Sequence, residues 1–404
     1  MFQNSEKPRI LSFRYTKDVT KVANKGGPSM ATKSKVNTAT PNTFEQLLDY
    51  GKNNGYKLDW LQQRETFGEE LEIPANGGGL LLQDVDSGPF AEVPEWTNNV
   101  TGRPRGALTR PSAARIGKYG IRTKADVWLK NGAQLYEEAV QRQWSSATDI
   151  PWNELEELPD EIEQAECQLA TFLTEVEFVA GDVPGRWISE TSPDYYEPRM
   201  FLISQIMDEA RHADVFRKRA LANGGGLLQQ NSSAALAGAS IDSARDFTEM
   251  SARLHISGEG LVLSIFRMGE RMAYNNAEKA IYRLAASDES RHVAFGVMHL
   301  QYVSQTDPER SEEIHSYLDE IELGLVAGTG GQNPAVRGTP SNAAIMTLLG
   351  GGTDEASLRE GEQIAGAVRQ RQVKEYIQRI KVAGFGDRFT NGRAAAGLTE
   401  YISA

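Results

Sequence analysis

Two short stretches of the chain repeat one pattern: Asp208-Glu209-Ala210-Arg211-His212 and Asp288-Glu289-Ser290-Arg291-His292. In each, Glu and His stand at i and i+3, so on a helix they share a face and reach one point. A single Glu-x-x-His is common by chance. A second copy further along the chain, with the flanking Asp and Arg retained, is not. Each copy follows a further acid, Glu177 before the first and Glu259 before the second, and the first separation (209 − 177) slightly exceeds the second (289 − 259). Both separations fit half a helix, a turn and half the next helix, so antiparallel neighbours can bring all four glutamates to one level.

Four carboxylates and two imidazoles inside a bundle repel one another and lose hydration unless something compensates them. Two divalent cations do so, because four Glu at −4 and two neutral His balance two ions at +4. Carboxylate oxygen with imidazole nitrogen suits iron or manganese better than copper or structural zinc. We therefore expect two irons, with manganese possible at one or both positions. The expected ligands are Glu177, Glu209, His212, Glu259, Glu289 and His292, with the four glutamates as the catalytic carboxylates. Asp208 and Asp288 are expected to accept a hydrogen bond from the far nitrogen of a ligand His and so fix its tautomer. Arg211 and Arg291 would pair with those acids and support the cofactor site by offsetting charge. The plain alternative is a packed ion-pair network without any metal.

Helices must position these groups. Four long helical segments are expected at about 157–182, 193–221, 240–269 and 271–304, separated by Gly, Pro, Asn and Ser, and twenty helical residues span ~30 Å. The longer first spacing predicts a bulge or longer turn around Gly181 to Pro193, since a wide helical turn near a metal can re-aim a ligand. Glu175 competes as the first ligand but lies at i−2 from Glu177, off its face. Around this core we expect an irregular N-terminal extension (1–124), the helical bundle (125–304) and a C-terminal helical extension (305–404) with helices at 311–328, 341–348 and 353–386. These last helices could cover the core or build a homodimer surface. Residues 24–43 read as a mobile arm or peripheral wrap, and the run 51–70 as one that could contain a short helix. Gly77-Gly78-Gly79 before Leu80 reads as a turn into buried extended chain, and the tail from Gly392 as peripheral. A near copy of the first glycine run, ANGGGLLLQ at 75–83, recurs as ANGGGLLQQ at 222–230. Neither is followed by the GK[ST] of a phosphate loop.

Composition narrows the class. With 404 residues, 40% hydrophobic and 24% charged, the chain can bury a real core. Lone Cys167 has no intramolecular disulfide partner and reads as a small core residue. A net charge of −12 argues against a general nucleic-acid binder. No long apolar run or secretory start is present, so a soluble cytoplasmic protein is expected, with no membrane association.

The repeated D-E-x-R-H pattern, with Glu177 in TEVEFVA and Glu259 in ISGEGLV, resembles the ferritin-like di-iron carboxylate proteins. The resemblance is particularly to bacterial multicomponent monooxygenase hydroxylases and ribonucleotide-reductase-like small subunits, and it covers about 125–304. It implies an all-α, ferritin-like four-helix bundle with additional terminal helices and irregular extensions. It assigns Glu177, Glu209 and His212 to one iron half-site and Glu259, Glu289 and His292 to the other, with O2 as co-substrate. Two departures stand out: Phe216 occupies the place of an oxidisable Tyr one turn after the first His, and Leu263 stands where a Thr is common, with only Ser264 polar beside it.

The leading expectation is thus an O2-dependent di-iron oxygenase or oxidase acting on a small or medium organic molecule by hydroxylation, epoxidation, desaturation or N-oxygenation. No dinucleotide fingerprint or iron–sulfur cysteine set is present, so electrons must come from a ferredoxin or reductase partner. Alternatives are a ferroxidase or metal-storage protein, a radical-generating subunit, and a helical scaffold. A hydrophobic substrate lining is expected from Leu173, Phe178, Gln205, Phe216, Leu263, Phe266 and Phe295. Of the other histidines, His255 reads as a hydrogen-bonded core residue, with a base behind the ligands or a seventh ligand as alternatives, His299 as too far along its helix to share a ligand role, and His315 as solvent facing.

Overall fold

The computed structural model describes residues 41–58, 79–86, 92–110, 112–230, 232–329 and 338–399. The chain divides into two compact units, Met1–Glu65 and Thr66–Ala404. The first holds helix α1, Pro41–Asn53. That helix reaches into the run expected to contain a short one, and Gly55 turns the chain at φ +76°; residues 59–70 of the run lie outside the described residues. Residues 24–40 of the expected arm lie outside the described residues.

The second unit is all-α. It comprises α2 (Gly132–Gln141), α3 (Asp160–Glu190), α4 (Tyr196–Leu221), α5 (Ser232–Asp242), α6 (Phe247–Ser251), α7 (Glu259–Met272), α8 (Asn276–Thr306), α9 (Ser311–Thr329), α10 (Pro340–Gly350) and α11 (Glu355–Ile380). A π-helical turn, Ala252–Gly258, joins α6 to α7 into one rod. Among the described residues there is no β-strand, only isolated bridges between Trp96 and Thr123 and between Ile121 and Thr191. The rods α3, α4, α6–α7 and α8 pack as a ferritin-like four-helix bundle: α3 lies against α4, α7 against α8, and residues 222–246 cross over between the pairs.

Local chemistry sets the helix starts. Three acids, Asp160, Glu161 and Glu163, occupy the first turn of α3, where the helix dipole favours negative charge. Asp246 caps α6 by accepting from the Glu249 N–H at 2.8 Å, which starts this rod at residue 247 rather than at the expected 240. Asn275 caps α8 by accepting from the Glu278 N–H at 3.0 Å.

No bulge or break occurs at Gly181. Helix α3 runs on through Pro184 to Glu190, because Val183 and Trp187 on the same stretch are buried and their packing outweighs the hydrogen bond that proline removes. The excess of the first spacing sits in the loop, Thr191–Tyr195 against the shorter Ala273–Asn275. Each of the four glutamates then stands equally far along its helix from its loop (190 − 177 = 209 − 196 = 272 − 259 = 289 − 276). Equal arms put all four at one height in the bundle.

Two apolar layers enclose that height. On one side lie Leu173, Phe216, Phe266, Ile281 and Tyr282, on the other Val183, Phe201, Phe247, Leu254 and Phe295. A third core joins α8 to α9 and α11 through Leu300, Leu318, Tyr376 and Ile377. The tail is part of it: Leu398 is fully buried and the Ala395 N–H donates to Glu322 at 3.0 Å, so residues 392–399 are not peripheral. Leu80 is exposed and precedes a single helical turn, Leu82–Val85, rather than entering buried extended chain. In the second glycine run a Cβ at Gly225 would lie 2.6 Å from the Ala220 carbonyl and 2.7 Å from the Cys167 sulfur, so only glycine fits.

Candidate metal centre

The structure brings all six expected groups together, each at most 2% exposed. They form two overlapping quartets. Glu177, Glu209, His212 and Glu289 offer donor atoms within 4.8 Å of one another, and so do Glu209, Glu259, Glu289 and His292. Glu209 and Glu289 belong to both. Glu209 places Oε2 3.1 Å from His212 Nδ1 and Oε1 3.0 Å from His292 Nδ1. Glu289 does the same with Oε1 at 3.3 Å from His212 and Oε2 at 3.4 Å from His292. The two patterns therefore interlock instead of serving one half-site each. Glu177 and Glu259 are the outer acids, 3.5 Å from His212 and 3.8 Å from His292.

The arrangement fits two cations. Glu177 Oε1, Glu209 Oε1, Glu259 Oε2, both oxygens of Glu289 and His292 Nδ1 are buried without a hydrogen-bond partner. His292 Nδ1 and Glu209 Oε1 lie 3.0 Å apart without the alignment of a hydrogen bond, so both remain open to a third atom between them. Proton affinities tell the same story. Burial and neighbouring carboxylates push Glu177 and Glu259 well above the usual carboxylate range, against the pull of the nearby imidazoles. Burial works against charge on Glu209, but His292 and His212 beside it hold its carboxyl low. Both imidazoles, despite burial, are pushed well above their ordinary value by the acids around them. Protons thus gather where cations would neutralise the cluster, and bound ions would displace them.

Below the cluster lies a layer of crossed ion pairs. His212 Nε2 meets Asp288 at 3.2 Å and His292 Nε2 meets Asp208 at 3.3 Å, so each acid orients the imidazole of the opposite helix. Arg211 reaches Asp208 at 2.5 Å and Asp288 at 3.0 Å; Arg291 reaches Asp288 at 2.5 Å and Asp208 at 3.1 Å. This near-symmetric square holds both Nδ1 atoms toward the glutamates.

Sequence spacing did not point to the groups that complete the layer. Trp144 donates to Asp288 at 2.7 Å and stacks on His212 with ring centroids 6.2 Å apart, while Arg211 lies 5.2 Å over the Trp144 ring. Gln143 accepts from Arg211 and donates to Asp208 at 3.3 Å. Both lie just past α2, outside the bundle helices, and no periodicity ties them to the motifs. Phe201 sets its edge against His292 at 6.2 Å.

Other expectations resolve individually. Glu175 accepts from Gln230 at 2.9 Å, away from the cluster. Phe178 is 59% exposed and lines no interior space, because it points from α3 away from the core. Phe216 packs on Phe266 and Tyr282 at 5.3 and 5.9 Å, and Leu263 is buried. Ser264 donates to Glu375 at 3.0 Å. His255 is a fully buried, hydrogen-bonded residue whose burial pushes its pKa well down. His299 bonds Thr248 and the Trp128 carbonyl, and burial lowers it to about 4. His315 is not solvent facing: Arg388 donates to its Nδ1 at 2.9 Å and Phe385 covers its ring. Cys167 is buried against the Ala220 carbonyl at 3.3 Å.

The sequence matches no known family profile and no curated protein. Among solved structures it is similar to R2-like ligand-binding oxidases. One tyrosine-to-phenylalanine variant with an aerobically reconstituted Mn/Fe cofactor shares 17% identity over 63% of this chain and 94% of its own, at a TM-score of 0.47. A second such variant gives 19%, the same coverage and 0.47. A valine-to-isoleucine variant with an anaerobically reconstituted Mn/Fe cofactor gives 18% and 0.46. No helix among the described residues is long and apolar enough to cross a membrane.

Proposed function

We propose that this chain is an O2-dependent, non-haem di-iron oxidase or oxygenase that oxidises a small or medium organic molecule with electrons from a ferredoxin or reductase. The observation that carries the reading is the set of buried, partnerless donor atoms converging between Glu177, Glu209, His212, Glu259, Glu289 and His292. Buried charged groups that serve only the fold have most of their polar atoms paired, whereas here six unpaired atoms gather at one place. When bound, an iron pair, or manganese in either place, would supply redox chemistry and a binding position for dioxygen.

The chain's own residues do the rest. Glu209 and Glu289, common to both quartets, would help to hold both ions, with Glu177 and Glu259 each serving one. Asp208 and Asp288 hold the imidazoles in the tautomer that leaves each Nδ1 free, and Arg211 and Arg291 hold those acids in place from below. Leu173, Phe216, Phe266, Phe201 and Phe295 wall the site against water, which suits an apolar substrate and protects a strong oxidant. With Phe at 216, the position one turn beyond His212 holds no oxidisable phenol.

Anaerobic loading with Fe(II), metal analysis and then O2 addition test the reading. Two irons per chain and a metal-centred absorption change on O2 are expected. Protein that binds fewer than one iron, or whose spectrum does not respond to O2, overturns it.

A further inference from the structure

The two outer acids, equivalent in the motif, are held differently. Glu259 Oε1 accepts a hydrogen bond from Gln205 Nε2 at 2.7 Å. Gln205 Oε1 faces His255 Nε2 at 3.2 Å, and His255 Nδ1 faces the Ser251 hydroxyl at 2.9 Å. Each direction follows from Gln205 Nε2, an amide nitrogen, which only donates. With Nε2 spent on Glu259, the Gln205 carbonyl oxygen receives the His255 Nε2–H, and His255 Nδ1 accepts from Ser251. All four residues are at most 2% exposed. Among the described residues no amide or hydroxyl donates to Glu177.

The backbone is built around this chain of bonds. His255 lies within the π turn Ala252–Gly258, directly before Glu259. The turn sits so close to α8 that a Cβ at Gly296 would lie 2.5 Å from that of His255, and Phe295 packs edge-on against the imidazole at 5.1 Å. Gln205 stands one turn before Glu209, so α4 presents the relay and a carboxylate common to both quartets on one face. A glycine at 296, a widened turn and a buried amide thus converge on the orientation of one carboxylate.

We propose that Gln205 and His255 are positioning residues for Glu259: the relay Ser251–His255–Gln205 fixes that carboxylate, so that of two bound ions the one beside His292 depends on it and the one beside His212 does not. The inference rests on the metal reading above. Its physical basis is that a neighbour which locks a ligand in its bound rotamer supports metal affinity by about 10- to 100-fold.

The test is titration of the full chain with Mn(II) alone, with free Mn(II) counted by electron paramagnetic resonance, so that neither oxygen chemistry nor turnover enters. Gln205→Leu is expected to weaken one of the two ions by about 10-fold or more and to leave the other within about twofold of wild type. His255→Leu, which cuts the relay one bond further out and leaves the amide in place, should weaken the same single ion by a smaller factor; it carries the test if Gln205→Leu does not fold. A role in folding alone would lower the apo melting temperature without splitting the two affinities. Wild-type binding of two ions in both variants, or equal weakening of both ions, overturns the relay and leaves the metal reading standing. A wild-type chain that binds no Mn(II) or Fe(II) overturns both.

Discussion

About 15 Å along α4 from the metal cluster, nearly three turns past Glu209, the bundle buries a second group of acids and treats it in the opposite way. Arg219, 2% exposed, lies 2.7 and 2.9 Å from the two oxygens of Glu163 and donates to Glu278 at 2.7 Å. None of these side chains is left with a partnerless buried atom. At the metal cluster five carboxylate oxygens and one ring nitrogen are. The same four helices thus supply an arginine where buried acids serve the fold, and withhold one where four glutamates meet. The guanidinia beneath that cluster, Arg211 and Arg291, are held one layer below on Asp208 and Asp288. A missing cation in a bundle that elsewhere provides one is the physical signature of a site for an added ion.

Deleting one charge from each group gives the largest contrast. Glu289→Ala removes the carboxylate whose two oxygens face both imidazoles, and metal content should fall from two ions per chain to near zero by elemental analysis. The apo protein should be no less stable, since one of several mutually repelling acids is gone. Arg219→Met should do the reverse: metal content unchanged, but about 3–5 kcal/mol lost in denaturant unfolding, because the buried Glu278 is left uncompensated and the half-buried Glu163 loses its bidentate partner. A Glu289→Ala chain that still binds two ions would remove the contrast on which the metal reading stands.

The next effect is thermal. Ions that bind only the folded chain stabilise it by mass action, about 2.7 kcal/mol at a hundredfold excess over Kd. Fe(II) or Mn(II) should therefore raise the melting temperature of wild type and of Arg219→Met by similar amounts, and leave Glu289→Ala unmoved. A shift in Glu289→Ala of the wild-type size would place the bound ion elsewhere.

The arginine-paired group carries its own pH dependence through Glu166, a buried acid beside Glu278. Burial, with the Glu278 charge adding to it, pushes Glu166 from 4.5 up to about 8 despite Arg219. The folded chain then holds a proton that the unfolded chain has released. The contribution of this group to stability is accordingly highest below pH 4.5 and is lost as pH rises toward 8, after which the slope vanishes. Glu166→Gln, neutral throughout, should flatten that part of the curve and be more stable than wild type at alkaline pH. Melting temperatures followed from neutral pH to beyond the Glu166 transition check it, and parallel curves for the two proteins would rule the assignment out.

The convergence of the six side chains was legible in the sequence because it rests on short-range geometry. An i, i+3 pair fixes its own face, and matched helix arms fix the height, so Glu177, Glu209, His212, Glu259, Glu289 and His292 follow from counting. Of the bulge or longer turn expected after Glu177, the longer turn is present at Thr191–Tyr195 and the bulge is not; the wide helical turn precedes Glu259 instead. A π turn is set by how α8 and the third rod approach at Gly296, which is tertiary information. The sharing of Glu209 and Glu289 between both half-sites depends on two side-chain oxygens pointing apart and has no counterpart in residue order. Gln143 and Trp144 enter from outside the bundle for the same reason.

The smallest predicted effect concerns Trp144, which separates orientation from ligation. Its indole N–H is one of four donors on Asp288, beside Arg211, Arg291 and His212. Trp144→Phe keeps a ring against His212 and removes that one donor. A buried, charge-assisted hydrogen bond contributes about 1.5–3 kcal/mol when nothing replaces it, but Asp288 retains three donors, so a loss of about 1 kcal/mol in denaturant unfolding is expected. Both ions should still bind, because the imidazole keeps its aspartate. If Trp144→Phe instead abolished binding of an ion, Asp288 would be too weakly held by its arginines to orient His212, and the square of crossed ion pairs would not be the element that fixes the imidazoles.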